Sequence, residues 1–283
     1  MNGTSYLLAI NGAAQSLSAA YFTWALAEQS GARVVAQHVV DTAAVWRFLS
    51  YDRAGFIGSG LYLEAREQIA GSMFSIAEAI MLSYSSQSAG QPLECETFID
   101  EGEPATEISR RAEEHDMVII GHQSRRSNSG GPRMYEKLAE TCPCPILVVG
   151  NAAQQWSKIR MYIDSDFASS ADIPGNFRLG SALGLPIEIY IDTRVAQVDA
   201  DRFSVGGWSR ALGVQSIERG SFKELLTSVP EDVLMVVSAD ILTGPNKTSY
   251  RADLRAFLDQ SERHTLLLWT DRKVQNKTLK LAS

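Results

Sequence analysis

The sequence predicts an α/β protein: two doubly wound, mostly parallel sheet units in tandem. Three observations lead there. Short apolar runs alternate with helical patterns, the runs are apolar on both faces, and the order of elements is repeated once along 283 residues. In the first half, Tyr6-Leu7-Leu8-Ala9-Ile10 is an apolar strand stopped by the turn pair Asn11-Gly12. Residues 14–30 follow at helical spacing, and Gly31 sits where a left-handed cap residue is favoured. Arg33 to Val40 reads as the second strand, 61–84 as a long helix and Leu93 to Ile99 as an alternating strand. Pro104 opens an amphipathic helix to Glu114, at a position where its missing N–H is harmless. Met117 to Gly121 is a fully apolar strand, Tyr135 to Thr141 a helix and Pro145 to Val149 the closing strand.

The second half repeats the plan. Ile159 to Ile163 precedes Asp164 as Leu7 to Ile10 precede Asn11, and Pro186 to Asp192 matches the strand ending at Asp41. Glu218-Arg219-Gly220-Ser221 opens a helix as Asp100 to Glu103 does, Val233 to Val237 matches Met117 to Ile120, and Thr265 to Trp269 matches the last strand. Five matched elements in one order point to a tandem duplication, with units at 1–150 and 151–283 joined near Gly150-Asn151. The halves differ between their second and third strands, where the first carries an aromatic-rich insertion near 43–62 with Trp46, Phe48, Tyr51, Phe56 and Tyr62. A segment of this length packs over its own domain, covers a ligand or contacts another chain.

Composition narrows the function. Hydrophobic residues make up 45% and charged residues 21%, the balance of a globular chain, and no apolar window is long enough for a transmembrane helix. The first residues lack a basic signal-peptide region, so the cytoplasm is the expected compartment. Residues 1–150 hold 10 Lys+Arg against 17 Asp+Glu, and residues 151–283 hold 16 against 16. An acidic or neutral surface releases few counterions from a polyanion, so neither nucleic acid nor membrane is an expected partner. Cys95, Cys142 and Cys144 are too few for a disulfide scaffold and lack the second ligand pair of a zinc site. There is no G-x-S-x-G elbow, no P-loop and no G-x-G-x-x-G after the first strand. His122 follows a strand end, where doubly wound sheets place ligands, while strand-end aspartates such as Asp164 and Asp240 read first as turn formers.

Several segments together resemble the universal stress protein family. Ile10-Asn11-Gly12-Ala13-Ala14-Gln15-Ser16 is similar to its first turn, V-D-G-S-x-x-S, and Gln37-His38-Val39-Val40-Asp41 to its second strand. Glu101-Gly102-Glu103-Pro104-Ala105 resembles its G-x-P helix start. Met117 to Gly121 resembles its fourth strand, and Glu136-Lys137-Leu138 through Cys142-Pro143-Cys144-Pro145-Ile146-Leu147-Val148-Val149 its closing segment. The likeness covers nearly all of 1–150 and, more weakly, 156–270. It implies a Rossmann-like fold of the adenine nucleotide alpha hydrolase type. It also implies ligand contacts at Asn11, Gly12, Val39 and, in the second half, Asp164.

ATP-binding members of that family resemble one another in G-x2-G-x9-G followed by Ser or Thr, whose backbone N–H groups face the phosphates. This chain departs from it. Gly121 is the first glycine, Ser124 stands at the second, the segment is two residues short, and Pro132-Arg133 occupies the Gly-Ser/Thr position. Proline there removes one N–H donor. The loop still offers Arg125, Arg126, Gly130, Gly131 and Arg133, a set able to hold an anion without the family motif. The expectation is therefore a stress-response binding or scaffold protein that pairs as a homodimer and meets a protein partner or small ligand. No catalytic turnover, cofactor or metal is expected. Two alternatives stay open: a switch binding ATP, AMP or another phosphate ligand through loop 121–133, and a carrier of an apolar molecule beneath the 46–62 insertion.

Overall fold

The computed structural model describes residues 4–44, 59–122, 131–153, 155–165, 183–196 and 214–270. The first half runs β1 (Ser5–Ala9), α1 (Ala14–Ser30), β2 (Arg33–Val40), α2 (Ser59–Ser88), β3 (Cys95–Glu101), α3 (Pro104–Arg111), β4 (Met117–Gly121), α4 (Met134–Thr141) and β5 (Ile146–Val149). The second runs β6 (Lys158–Ile163), β7 (Ile187–Asp192), β8 (Val214–Gly220), α5 (Phe222–Ser228), β9 (Val233–Ser238), α6 (Lys247–Gln260) and β10 (Thr265–Trp269).

The ten strands among the described residues join one sheet in the order β3-β2-β1-β4-β5-β10-β9-β6-β7-β8. Each half is parallel, and the seam between β5 and β10 is antiparallel, pairing Thr265 with Val149 and Leu268 with Ile146. Counted outward from the seam, both halves follow the order fifth, fourth, first, second, third. The expected doubly wound architecture is thus observed, with its halves fused into a single sheet rather than closed as two. The apolar central strands explain the fusion. β5 and β10 are buried at every residue, so each needs a neighbour on both sides to satisfy its backbone.

Helices cover both faces. On one, α1 and α2 lie over a core that includes Leu8, Trp24, Ile119, Ile159 and Leu267. The Trp24 indole donates to the Tyr84 hydroxyl at 2.9 Å, which gives a buried N–H its partner. On the other, α3 and α4 of the first half and α5 and α6 of the second cover Val118, Leu138, Leu225 and Phe257. Local signals agree with the elements. Gly31 closes α1 at φ +65°, Pro104 is in the first turn of α3, and Ser221 and Glu224 form a reciprocal cap on α5. Among the described residues no helix is long and apolar enough to cross a membrane.

Candidate functional site

In each half the strand order reverses between the first and fourth strands, and ligands of open α/β sheets bind outside the carboxyl ends of such a pair. In the first half that crevice is built on Asn11 and Gly12 after β1, Val39 near the end of β2 and Gly121 at the end of β4. Asn11 is exposed, and its Oδ1 accepts from the Ala13 N–H at 3.1 Å, an Asx turn that sets the start of α1. Gly12 has φ +76°, a conformation that a side chain would strain. Gly121 serves packing. A Cβ there would stand 2.5 Å from the Gln15 carbonyl oxygen, so its absence lets the first turn of α1 lie on β4. Ala9 and Val39 are half-buried, short and apolar.

The second half fills the equivalent place with its own side chains. Ala9 pairs with Gln37 and Tyr162 with Tyr190, and both Ala9 and Tyr162 lie two residues before the turn residues Asn11 and Asp164. Tyr162 therefore stands for Ala9, and Asp192 for Val39. The Tyr162 hydroxyl donates to Asp192. Arg194 grips the same carboxylate through Nε at 2.9 Å and Nη2 at 2.7 Å, and its backbone N–H adds a bond at 2.7 Å. Arg194 also donates to the Tyr250 hydroxyl. Phe222 lies between Tyr162 and Tyr250, with ring centroids 4.8 Å and 5.0 Å away. Burial alone would push the Asp192 carboxyl up, but the bonds from Arg194 and Tyr162 outweigh it and hold it at about 2. Asp164, the residue expected to contact a ligand in this half, is buried at the end of β6.

The anion loop is only partly described. Ser124, Arg125, Arg126 and Gly130 lie outside the described residues, as does the 45–58 part of the insertion. Gly131 is exposed, and its carbonyl accepts from Arg255 Nη2 at 3.4 Å. Arg133 was expected to face a ligand anion. The structure gives it a protein partner: its Nη1 and Nη2 donate to the two oxygens of Asp259 on α6, at 2.9 Å and 2.5 Å. His122 Nε2 donates to the same carboxylate at 3.2 Å. Burial, then the neighbouring Arg133 charge, pushes the His122 pKa down, so the ring is the neutral donor. Beside this pair, Arg255 meets Glu136, which is fully buried, at 2.5 Å and 2.6 Å, and Arg251 meets Glu140 at 2.8 Å. Sequence reading missed this polar seam, because its partners lie more than a hundred positions apart.

Other expected features take structural roles. His38 Nδ1 donates to the Ile10 carbonyl at 2.8 Å, and His264 stacks on Phe257 while donating to its carbonyl at 2.7 Å. Cys142 and Cys144 are buried with their sulfurs 4.0 Å apart. No cluster of three or more potential metal-binding side chains occurs among the described residues. A groove of about 470 Å³ on the opposite face is lined by Tyr21, Phe22, Leu26, Trp156, Leu183 and Leu185.

The comparisons with known proteins agree with this architecture. The chain is similar over 96% of its length to all of a universal stress protein from Archaeoglobus fulgidus, at 13% identity and TM-score 0.60. Over 99% of its length it is similar to 98% of a putative universal stress protein from Pseudomonas aeruginosa, at 14% identity and TM-score 0.54. At such identities the likeness shows the fold alone. No curated protein matches the sequence significantly. The model of the universal stress protein family matches residues 5–150, more than half of the chain. The chain belongs to the universal stress protein family.

Proposed function

We propose that this chain acts in the stress response by binding rather than by catalytic turnover. In this reading the first half recognises the ligand or protein partner and the second serves as its built-in structural companion. The observation that carries it is the contrast at one pair of positions: Tyr162 and Asp192 close the second crevice, where the first has Ala9 and Val39. The shared strand order supports a duplicated unit, 1–150 and 151–283, whose second copy gave up ligand binding. Two such chains pairing as a homodimer, in the cytoplasm, fit this reading.

Calorimetric titration with ATP and with AMP tests it. Silence with both is expected, because the glycine pattern is broken and Arg133 is already paired. Micromolar heat that disappears in the double variant Arg125→Ala/Arg126→Ala would overturn it and make the protein a nucleotide switch. The groove beside Trp156 gives an apolar ligand a second place to bind. Native mass spectrometry of freshly purified protein would reveal such a ligand as a co-purifying mass.

A further inference from the structure

A helix that covers a sheet ordinarily turns charged and polar residues outward. Helix α1 does not: among its seventeen residues only Glu28 is charged. Ala19, Ala20, Trp24 and Ala27 are its core side. Ser18, Phe22, Ala25 and Gln29, spaced by four, three and four residues, form a second stripe. That stripe is one wall of the groove of about 470 Å³. The other wall belongs to the second half, with Ala153, Gln155 and Trp156 after the join and Leu183 and Leu185 before β7. Trp156 is buried, and Phe22, Leu183 and Leu185 are half-buried against the core. The Phe22 and Trp156 ring centroids lie 5.2 Å apart. The groove is also held in shape. The Trp156 indole donates to the Thr265 hydroxyl on β10 at 2.7 Å, which fixes the ring and uses its N–H. The Ser18 hydroxyl donates to Asn151 Oδ1 at 2.8 Å, tying the two walls across the seam. A preformed site loses little freedom when it is filled.

The lining fixes the chemistry of an occupant. None of the twelve described residues around the groove is charged, although charged residues make up 21% of the chain. A charged ligand would give up water there and meet no counterion among them. The polar groups are amides and hydroxyls, with the amides of Gln29 and Gln155 on opposite walls. Three of the lining residues, Tyr21, Phe22 and Trp156, are aromatic. Such rings reward another ring, by offset or edge-on contact, beyond the area that it buries. The volume falls within the range of about 300–1,000 Å³ usual for small-molecule sites, which favour the meeting of two domains. We propose that this groove is a binding site for an uncharged aromatic compound, its rings against Phe22 and Trp156 and its polar edge towards Gln29 and Gln155. The proposal deepens the reading of the groove as a place for an apolar ligand and rests on it. It does not involve the crevice at Asn11 and Gly12. Because each half supplies one wall, an occupant also strengthens the contact between the halves.

The test titrates the full-length chain with two fluorescent probes. N-phenylnaphthylamine is uncharged, and anilinonaphthalene sulfonate is the same ring system carrying a sulfonate. The uncharged probe is expected to bind saturably, one per chain, and at least tenfold more tightly than the sulfonate. Two variants place the site. Ala25→Arg and Gln155→Lys put a charge on opposite walls at exposed positions. Each is expected to weaken the uncharged probe at least tenfold and to leave the unfolding temperature of the ligand-free chain unchanged. Unchanged probe affinity in both variants overturns the proposal. Competition then separates ring from chain: naphthol is expected to displace the probe at lower concentration than decanol, which is uncharged and has no ring. Failure of both probes to bind sinks the reading of the groove as an apolar site, and the proposal with it. Equal affinity for the two probes, or displacement by decanol ahead of naphthol, leaves that reading standing and overturns the proposal alone.

Discussion

At the ends of their first two strands, the halves of this molecule solve one packing problem in opposite ways. The first half ends β1 and β2 with Ala9 and Val39, short side chains that stay half-buried. The second puts Tyr162 and Asp192 at those positions and locks them with Arg194, Phe222 and Tyr250. The difference shows that a sheet frame can be kept while its crevice is converted into core. A ligand and internal side chains would compete for the same volume, and in the second half the side chains of Tyr162 and Asp192 are buried in it. Across the seam the second half meets Glu140 and Glu136 of the first with Arg251 and Arg255, and the first half in turn gives Arg133 to Asp259.

The largest expected effect comes from emptying the filled crevice. Tyr162→Ala removes a side chain that is almost fully buried and leaves a void that Phe222 and Tyr250 can only partly fill. A loss of about 3–5 kcal/mol is expected, in the range of large-to-alanine changes in cores. Val39→Ala, at the equivalent place in the first half, should cost only about 1 kcal/mol, because its side chain is smaller and already half-exposed. Urea denaturation of both variants measures the pair. Similar losses would mean that the first crevice is as tightly packed as the second, and the contrast between the halves would go.

Much of the frame was legible because fully apolar runs leave little choice. Arg33–Val40, Met117–Gly121 and Thr265–Trp269 are strands at the boundaries read from sequence. Val214–Gly220 was not read as a strand, because it lies at the sheet edge and buries only Gly220. Nor was α6, whose buried stripe is just Leu254, Phe257 and Leu258. The site was legible only in part. Turn chemistry marked Asn11 and Gly12, and strand ends marked Gly121 and His122. The bond between Arg133 and Asp259 joins residues 126 positions apart, and the Tyr162 hydroxyl reaches Asp192 across from β6. No local pattern encodes either, because each forms only after the sheet has brought its strands together, whereas Arg194, two residues beyond Asp192, bonds it within a local turn.

A smaller effect is expected from the charge within the filled crevice, and it depends on pH. The Asp192 carboxyl titrates at about 2 in the folded chain, below its ordinary value of 3.8. A depressed folded pKa means that the unfolded chain binds the proton more readily. The stabilisation is therefore complete above about pH 5 and is lost as the pH falls towards 2. That difference corresponds to roughly 2 kcal/mol. Asp192→Asn should be less stable than wild type at pH 7, with the two stability curves converging near pH 2. Curves that stay parallel from neutral to acid pH would show that the bond from Arg194 adds nothing beyond shape.

The smallest effect lies at matched helix starts. In the second half α5 begins at Ser221, whose hydroxyl accepts from the Glu224 N–H at 3.3 Å while Glu224 reaches back to the Ser221 N–H at 2.7 Å. In the first half α3 begins at Glu103, which accepts from the Thr106 N–H at 2.8 Å and from Lys137 at 3.0 Å. Ser221→Ala removes one cap bond, and a loss of about 1 kcal/mol is expected. Glu103→Ser should change stability by no more than about 0.5 kcal/mol, because serine caps as well and the bond to Lys137 is a half-exposed ion pair of small value. Thermal unfolding at two salt concentrations separates the terms: the cost of Glu103→Ser should shrink at high salt, and that of Ser221→Ala should not. If instead Glu103→Ser costs more than Ser221→Ala, the bond to Lys137 on α4 is part of what aligns the helices of the first half, and the two helix starts are not equivalent after all.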